Sequence, residues 1–512
     1  MTDLERIGQR LVTGFPGTAL TPELVQVVKE YKIENIASAD QLRTLCADLQ
    51  TLIRSETGHD AFIMIDQEGG AVTRLPESCI NVPGSMALAA TGDPETTYLA
   101  GKLTGEELRS LGVNFNLAPS VDVNCNPANP IIGVRSYGDT PATVAKYAAG
   151  MIRGLQDGGV LCLAKHFPGH GDTSLDSHLT LPCVDKPRDE LERMELAPFR
   201  AAIADGVPAI MTAHILFPAL DDSGVPATMS RRIVTGLLRG EMGFTGLVTS
   251  DCMEMQAVQK FFGSVNGVLA AMNAGVDLVL LSHTTLLSGE AAKAAAEALQ
   301  SGKLDRKEME ESVDRILAAK AKLAAVPAAA FDAEQAAALN DKLLRATITE
   351  VHVPKAGRPN VGGHPLCLGC QVYRTGLVGN VVDDVQQSFP VMMAKALGGD
   401  GFTTPIDPSE DEIYEWVRRA ESYTSIVIGT YNGHLHPQQL EMVKALAQNS
   451  GKPVTVVALR NPYDLFPLPE SVYTLAAYEY TARSTAAVAD VLLGRHAATG
   501  RLPIATPEQE AQ

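Results

Sequence analysis

Residues 159–178 read GVLCLAKHFPGHGDTSLDSH, an apolar run that breaks into a polar loop. From Gly159 to Ala164 the run is apolar, contains the β-branched Val160 and ends near Gly and Pro, the pattern of a buried strand. Pro168, Gly169 and Gly171 stop a helix from continuing it. The fourteen residues from Lys165 to His178 hold three His, two Asp and one Lys. A solvated connector would be rich in Ser, Asn, Gly and Lys instead. Titratable groups gathered where a strand emerges are the arrangement that barrel enzymes use for chemistry.

Working outward, similar apolar runs recur at residues 10–12, 33–36, 61–65, 113–117, 209–211, 246–248 and 276–281, which with 160–164 makes eight candidate strands. Amphipathic stretches such as 96–111, 140–156 and 190–205 alternate with them, a βα rhythm that implies a parallel sheet. Eight such units predict a TIM-type (β/α)8 barrel over residues 1–325, irregular in its first strands. Polar signatures sit at or beyond the C-terminal ends of these runs. They are Asp66-Gln-Glu-Gly-Gly after the third, Asp122 and Arg135 after the fourth, Lys165 to His178 after the fifth, His214 after the sixth and Ser250-Asp251 after the seventh. That shared placement points to one site on one barrel face. Residues 285–345 turn to Ala, Lys, Glu and Leu and predict long helices, with 326–345 as a linker. Runs at 426–429, 454–459 and 475–478, with helices at 437–448 and 481–493, predict a smaller α/β sandwich domain over 346–512.

Composition narrows the function. With 42 Lys and Arg against 60 Asp and Glu, the net charge of −18 would repel nucleic acid. No run reaches membrane-spanning length and no secretory signal is visible, so a cytoplasmic protein is expected. The eight scattered Cys suit reduced thiols. Cys367-Leu-Gly-Cys370 is a lone CxxC with only His364 nearby, which makes a poor metal or redox motif. His170, His214 and Asp172 also invite a metal reading, but their spacing matches no zinc motif and Lys165 would repel a cation. No metal or cofactor is expected.

The remaining residues suit acid–base and nucleophilic chemistry. Asp251 ends an apolar strand, where it could cap a helix or act as a catalytic carboxylate. Asp176 precedes His178 by two residues, close enough to orient the ring for proton transfer. Asp66, Arg74, Arg135, Lys165 and His166 offer the donors and carboxylate that grip sugar hydroxyls. Glu479 in the second domain reads as a surface or interdomain residue rather than a second acid.

The combination of Asp66-Gln-Glu-Gly-Gly, Ile132-Gly-Val-Arg-Ser-Tyr-Gly138, Lys165-His-Phe-Pro-Gly-His-Gly-Asp-Thr, Asp176-Ser-His178 and Ser250-Asp251 resembles glycoside hydrolase family 3, in its bacterial β-N-acetylglucosaminidase branch of the NagZ type. The segments Gly429-Thr-Tyr-Asn and Ala458-Leu-Arg-Asn-Pro-Tyr-Asp resemble that family's C-terminal domain. The resemblance implies Asp251 as nucleophile, His178 held by Asp176 as acid–base group, and Asp66, Arg74, Arg135, Lys165 and His166 as ligands of a terminal N-acetylglucosamine. It also implies retention of configuration and peptidoglycan fragments as substrates. Two positions depart from the family pattern: Ala71 stands where Arg is common, and Cys252 where Asp or Ala is common. A phosphorylase or β-glucosidase of the same family is the nearer alternative, and a sugar-binding protein without turnover the distant one.

Overall fold

The computed structural model describes residues 1–14, 21–31, 35–37, 42–173, 181–327, 331–370 and 385–507. Each of the eight apolar runs contributes a parallel strand: β1 (Leu11–Gly14), β2 (Asn35–Ala37), β3 (Ile63–Ile65), β4 (Phe115–Asn116), β5 (Leu161–Phe167), β6 (Ala209–Thr212), β7 (Leu247–Cys252) and β8 (Leu278–Leu281). Pairing of β8 with β1, Leu11 opposite Val279, closes the barrel. Strand alternation sorts the side chains. On β8, Leu278 and Leu280 join Met64, Phe115, Leu163 and Met211 in one apolar cluster, the barrel lumen. Val279 and Leu281 belong instead to the layer beneath the helices.

The helix Arg306–Ala324 adds Ile316 and Leu323 to the lumen cluster, and its Lys320 ammonium lies 5.3 Å from the centre of the Phe62 ring. Phe62 precedes β3, so this helix plugs the end where the strands begin. Polar groups are left to the opposite end. Outside the strands, helices Glu95–Leu111 and Pro141–Asp157 cross with their backbones nearly touching. A Cβ on Gly154 would stand 2.2 Å from the Tyr98 carbonyl oxygen, and one on Gly101 2.6 Å from that of Met151.

The second domain holds a six-stranded sheet in the order β11-β10-β12-β13-β14-β9. Its strands are β9 (Thr349–His352), β10 (Leu366–Cys370), β11 (Asp400–Thr404), β12 (Ile426–Thr430), β13 (Val454–Ala458) and β14 (Tyr473–Ala476). Only β9 runs antiparallel, along the edge. Apolar layers cover both faces, which makes this the α/β sandwich that the sequence predicts. The CxxC pair proves to be part of β10, with both thiols buried and pushed up to about 12 by that burial. The stretch expected as a linker, 326–345, is largely helical. Helix Ala333–Thr347 is capped by Asp332 and donates from Asn340 Nδ2 to the Asn81 carbonyl at 3.0 Å.

The domain seam is a packed interface. Met86, Ala87, Ala90 and Val134 of the barrel share one apolar cluster with Leu465, Tyr478 and Ile504. Glu479 is buried there, accepting from Gly84 N at 3.2 Å and Thr481 Oγ1 at 3.0 Å. Burial raises its carboxyl from 4.5 to about 7. A raised folded-state pKa means the native chain holds this proton more tightly than the unfolded chain, so stability falls as pH rises between about 4.5 and about 7. Glu479→Gln is expected to remove a pH-dependent loss on the order of 3 kcal/mol. Thermal midpoints at about pH 5 and about pH 8 check this: the variant should lose less stability between them than the natural chain.

Candidate active site

Backbone splints bring the loops together. Asn116 at the end of β4 accepts from Gln67 N at 3.1 Å and donates to the Gln67 carbonyl at 2.8 Å, fixing the chain as it leaves β3. The Gln67 carboxamide then accepts from Thr73 Oγ1 at 2.7 Å and Arg74 N at 3.0 Å, which folds residues 67–74 into a compact turn. Gly70 adopts a φ of 53° in that turn, and a Cβ there would stand 2.8 Å from Gly84 Cα. Glycine is required on both counts.

Glu68 is thereby buried between two cations. Arg135 Nη2 and Nε lie 2.8 and 2.9 Å from its two oxygens, and Lys165 Nζ lies 2.7 Å from Oε1. Burial would raise the Glu68 carboxyl, but Arg135 and Lys165 outweigh it and hold the group far below the usual carboxylate range. Lys165 loses stability as a cation through burial and regains more from Asp66 and Glu68, so its pKa is raised. Its ammonium also reaches Asp66 Oδ1 at 2.8 Å, and the Asp66 side chain is 42% exposed at the mouth.

Asp122 organises the next layer. Fully buried, it accepts from His166 Nδ1 at 2.8 Å and from the backbone N–H groups of His166 and His170 at 3.1 and 2.7 Å. His166 Nε2 is turned toward Arg135 Nη2, 3.5 Å away. His170 stacks edge-on against His166 and bonds Thr173 Oγ1 at 2.8 Å. Burial and the neighbouring His166 lower its pKa to about 4, so it is neutral near pH 7.

Asp251 stands at the end of β7, partly accessible, with Oδ1 accepting from Cys252 N at 2.7 Å. Burial opposes its charge, but His166, His214 and the Cys252 amide prevail and lower its pKa. His214 is held from both sides, Nε2 donating to the Cys252 carbonyl at 3.0 Å and Nδ1 lying 3.0 Å from Thr228 Oγ1. The carboxylate that the sequence nominated is thus an anion in a fixed frame.

Of the other nominated residues, Arg74 is not drawn into the Glu68 network; among the described residues its side chain meets only the Thr73 carbonyl, at 3.5 Å. Asp176 and His178 lie outside the described residues. His170, His214 and Asp172 do not converge. The donor set among the described residues with a metal-like arrangement is Cys125, Asp172 and Glu195, and the Lys186 ammonium sits among them, 2.9 Å from Asp172 and 2.8 Å from Glu195.

Residues 5–319 match the glycosyl hydrolase family 3 N terminal domain, and residues 410–512 match its C-terminal domain. The chain belongs to glycoside hydrolase family 3. Over 95% of its length it is 33% identical to Beta-hexosaminidase A of Pseudoalteromonas piscicida, covering 91% of that protein. A solved family 3 β-N-acetylglucosaminidase from Paenibacillus superposes with a TM-score of 0.91 at 36% identity, over 99% of both chains. The β-glucoside phosphorylase BglX shares the fold at a TM-score of 0.80 and 23% identity, over 99% of this chain and 94% of that one.

Two members of this family 3 site received no role in the sequence reading. Glu68 lies inside the quoted Asp66-Gln-Glu-Gly-Gly motif, and the signal for it was the pair of cations, Arg135 and Lys165, that cannot be buried without a carboxylate between them. Asp122 was noted only for its position, yet it holds both His166 and His170. Glu68→Gln is expected to leave two buried cations short of a counter-ion and cost about 3 kcal/mol of stability. With Arg135 and Lys165 displaced, kcat/KM should fall on the order of hundredfold. Urea denaturation and steady-state kinetics on one preparation check both effects.

Proposed function

We propose that this glycoside hydrolase is a retaining exo-β-N-acetylglucosaminidase that removes non-reducing terminal N-acetylglucosamine from peptidoglycan fragments in the cytoplasm. The carrying observation is the ionised, accessible Asp251 at the end of β7, set in the same charge frame as the Glu68, Arg135 and Lys165 network. The near full-length likeness to proteins named β-hexosaminidase and β-N-acetylglucosaminidase supports the choice of sugar. All eight cysteines are free thiols, which favours a reducing compartment.

In this reading Asp66, Arg74, Arg135, Lys165 and His166 bind the sugar. Asp251 Oδ attacks the anomeric carbon while the bond to the leaving oxygen breaks, and His178, oriented by Asp176, gives that oxygen its proton. The product is a glycosyl ester on Asp251. Water then attacks the same carbon, His178 takes the water's proton, and the ester bond breaks to free Asp251. Two inversions restore the β configuration. A carboxylate whose pKa is lowered stays ionised as pH falls, so Asp251 suits the nucleophilic role across mildly acidic conditions.

The test is product identification from 4-nitrophenyl N-acetyl-β-glucosaminide with and without phosphate. Free N-acetylglucosamine of β configuration in both buffers is the expected result, and Asp251→Asn should yield none. The sugar 1-phosphate, formed only with phosphate, would replace hydrolysis by phosphorolysis. Faster cleavage of the β-glucoside would overturn the substrate. For the acid–base group, His178→Ala should slow substrates with poor leaving groups by roughly 10²-fold or more while sparing activated aryl glycosides. Equal loss on both would sink that role.

A further inference from the structure

Lys186 belongs to an ion cluster that takes no direct part in the chemistry above. Its Nζ lies 2.9 Å from Asp172 Oδ2, 2.8 Å from Glu195 Oε1 and 3.4 Å from Glu190 Oε1. The Lys186 side chain is 14% exposed and that of Glu195 only 2%, so this contact is largely desolvated and stronger than a surface pair. Burial opposes the Lys186 charge, but Asp172 and Glu195 more than offset it, and its pKa is raised.

The position of the cluster in the chain gives it meaning. Asp172 and Lys186 bracket the segment that carries Asp176 and His178. The start of that segment is fastened to the loop after β4: Asn129 Nδ2 donates to the His170 and Gly171 carbonyls at 2.8 and 2.9 Å. Gly171 packs so closely there that a Cβ would stand 1.6 Å from the Val123 carbonyl oxygen. Its end is fastened to the stretch after β6, where Leu216 N donates to the Pro182 carbonyl and Val184 N to the Leu216 carbonyl, both at 2.9 Å. Start and end thus hang from different strands, and the Lys186 ammonium joins them. Glu195, just before helix Leu196–Ala204, completes the junction. It lies so close to Gly169 that a Cβ there would stand 2.7 Å from Glu195 Cβ.

We propose that Asp172, Lys186 and Glu195 form a clasp that fixes both ends of the segment bearing the acid–base pair, which makes Lys186 a positioning residue for proton transfer. The proposal rests on the reading of His178 and Asp176 given above. Holding the ends of a chain segment narrows the space its side chains sample, and proton transfer falls off when donor and leaving oxygen lose their alignment. Opening the clasp therefore weakens the step that needs a proton and spares the step that does not.

The experiment compares kcat/KM on N,N′-diacetylchitobiose, whose leaving sugar must be protonated, with that on 2,4-dinitrophenyl N-acetyl-β-glucosaminide, whose phenolate departs unaided. Lys186→Met is expected to lower the first on the order of tenfold and the second by less than about threefold. Asp172→Asn opens the same clasp from the other side and should give the same split, so it carries the test if Lys186→Met does not fold. Equal losses on both substrates, or an unchanged rate on chitobiose, overturn the clasp. His178→Ala is measured beside them. A split in that variant with none in the clasp variants refutes the clasp alone, whereas no split in His178→Ala removes the acid–base reading and the clasp with it.

Discussion

The buried carboxylate of Glu68 is the constraint on which the site depends. Two cations, Arg135 from the β4 loop and Lys165 from β5, are withdrawn from water at one point, and neither could be left there without an anion. Glu68 meets both, so the loops after β3 and β4 and the strand β5 are tied through one side chain. The geometry of residues 67–74 serves this requirement: Asn116 and Gln67 fold the turn, and Gly70 lets it pass close to Gly84. The outward side of the network is Asp66, whose side chain is partly exposed while it holds the Lys165 ammonium.

A second division of labour follows from Asp122. It satisfies the backbone of His166 and His170 and fixes the His166 ring, so that ring can act on Asp251 through space without moving. His214 restrains the next peptide, at Cys252. Asp251 is thus kept charged by neighbours that are themselves anchored, which is electrostatic preorganisation in a low-dielectric setting. The departure at Cys252 is compatible with this, because the groups that frame Asp251 touch the Cys252 backbone and not its thiol.

The barrel was legible because its strands are apolar and bounded by turn residues; even the two-residue β4 falls inside a predicted run, and the three-residue β2 overlaps one. The second sheet was half legible for opposite reasons. β9 is the polar edge segment Thr-Glu-Val-His, β11 begins Asp-Gly and is only partly buried, and β10 contains a CxxC spacing that draws attention to thiols rather than to the strand. Helix Ala333–Thr347 falls mostly in the Ala-, Lys-, Glu- and Leu-rich stretch that predicts long helices, but its packing against helices of both domains, which makes more than a linker of it, rests on partners that local sequence does not display. In the site, residue types at strand ends single out Asp251, Lys165 and His166, which the fold brings near one another, but Glu68 and Asp122 act through burial and pairing. Those are properties of the assembled fold.

The seam also bears on which domain supplies the proton. Glu479 comes from the second domain, is a carboxyl with its pKa raised to about 7, and borders the same turn as Glu68, which are the attributes of a general acid. Its surroundings argue otherwise. One oxygen accepts from Gly84 N and the other from Thr481 Oγ1, and the residue is only 5% exposed behind Gly70. Reaching a leaving group would break both bonds and strip the seam of the acceptor that Gly84 uses. A raised pKa here reflects burial at a joint between domains, while the groups that lower the Asp251 pKa, His166, His214, the Cys252 amide and Lys165, belong to the barrel. The bonds from Gly84 and Thr481 argue against Glu479 as the proton donor, and the second domain acts as the wall against which the Glu68 turn is braced.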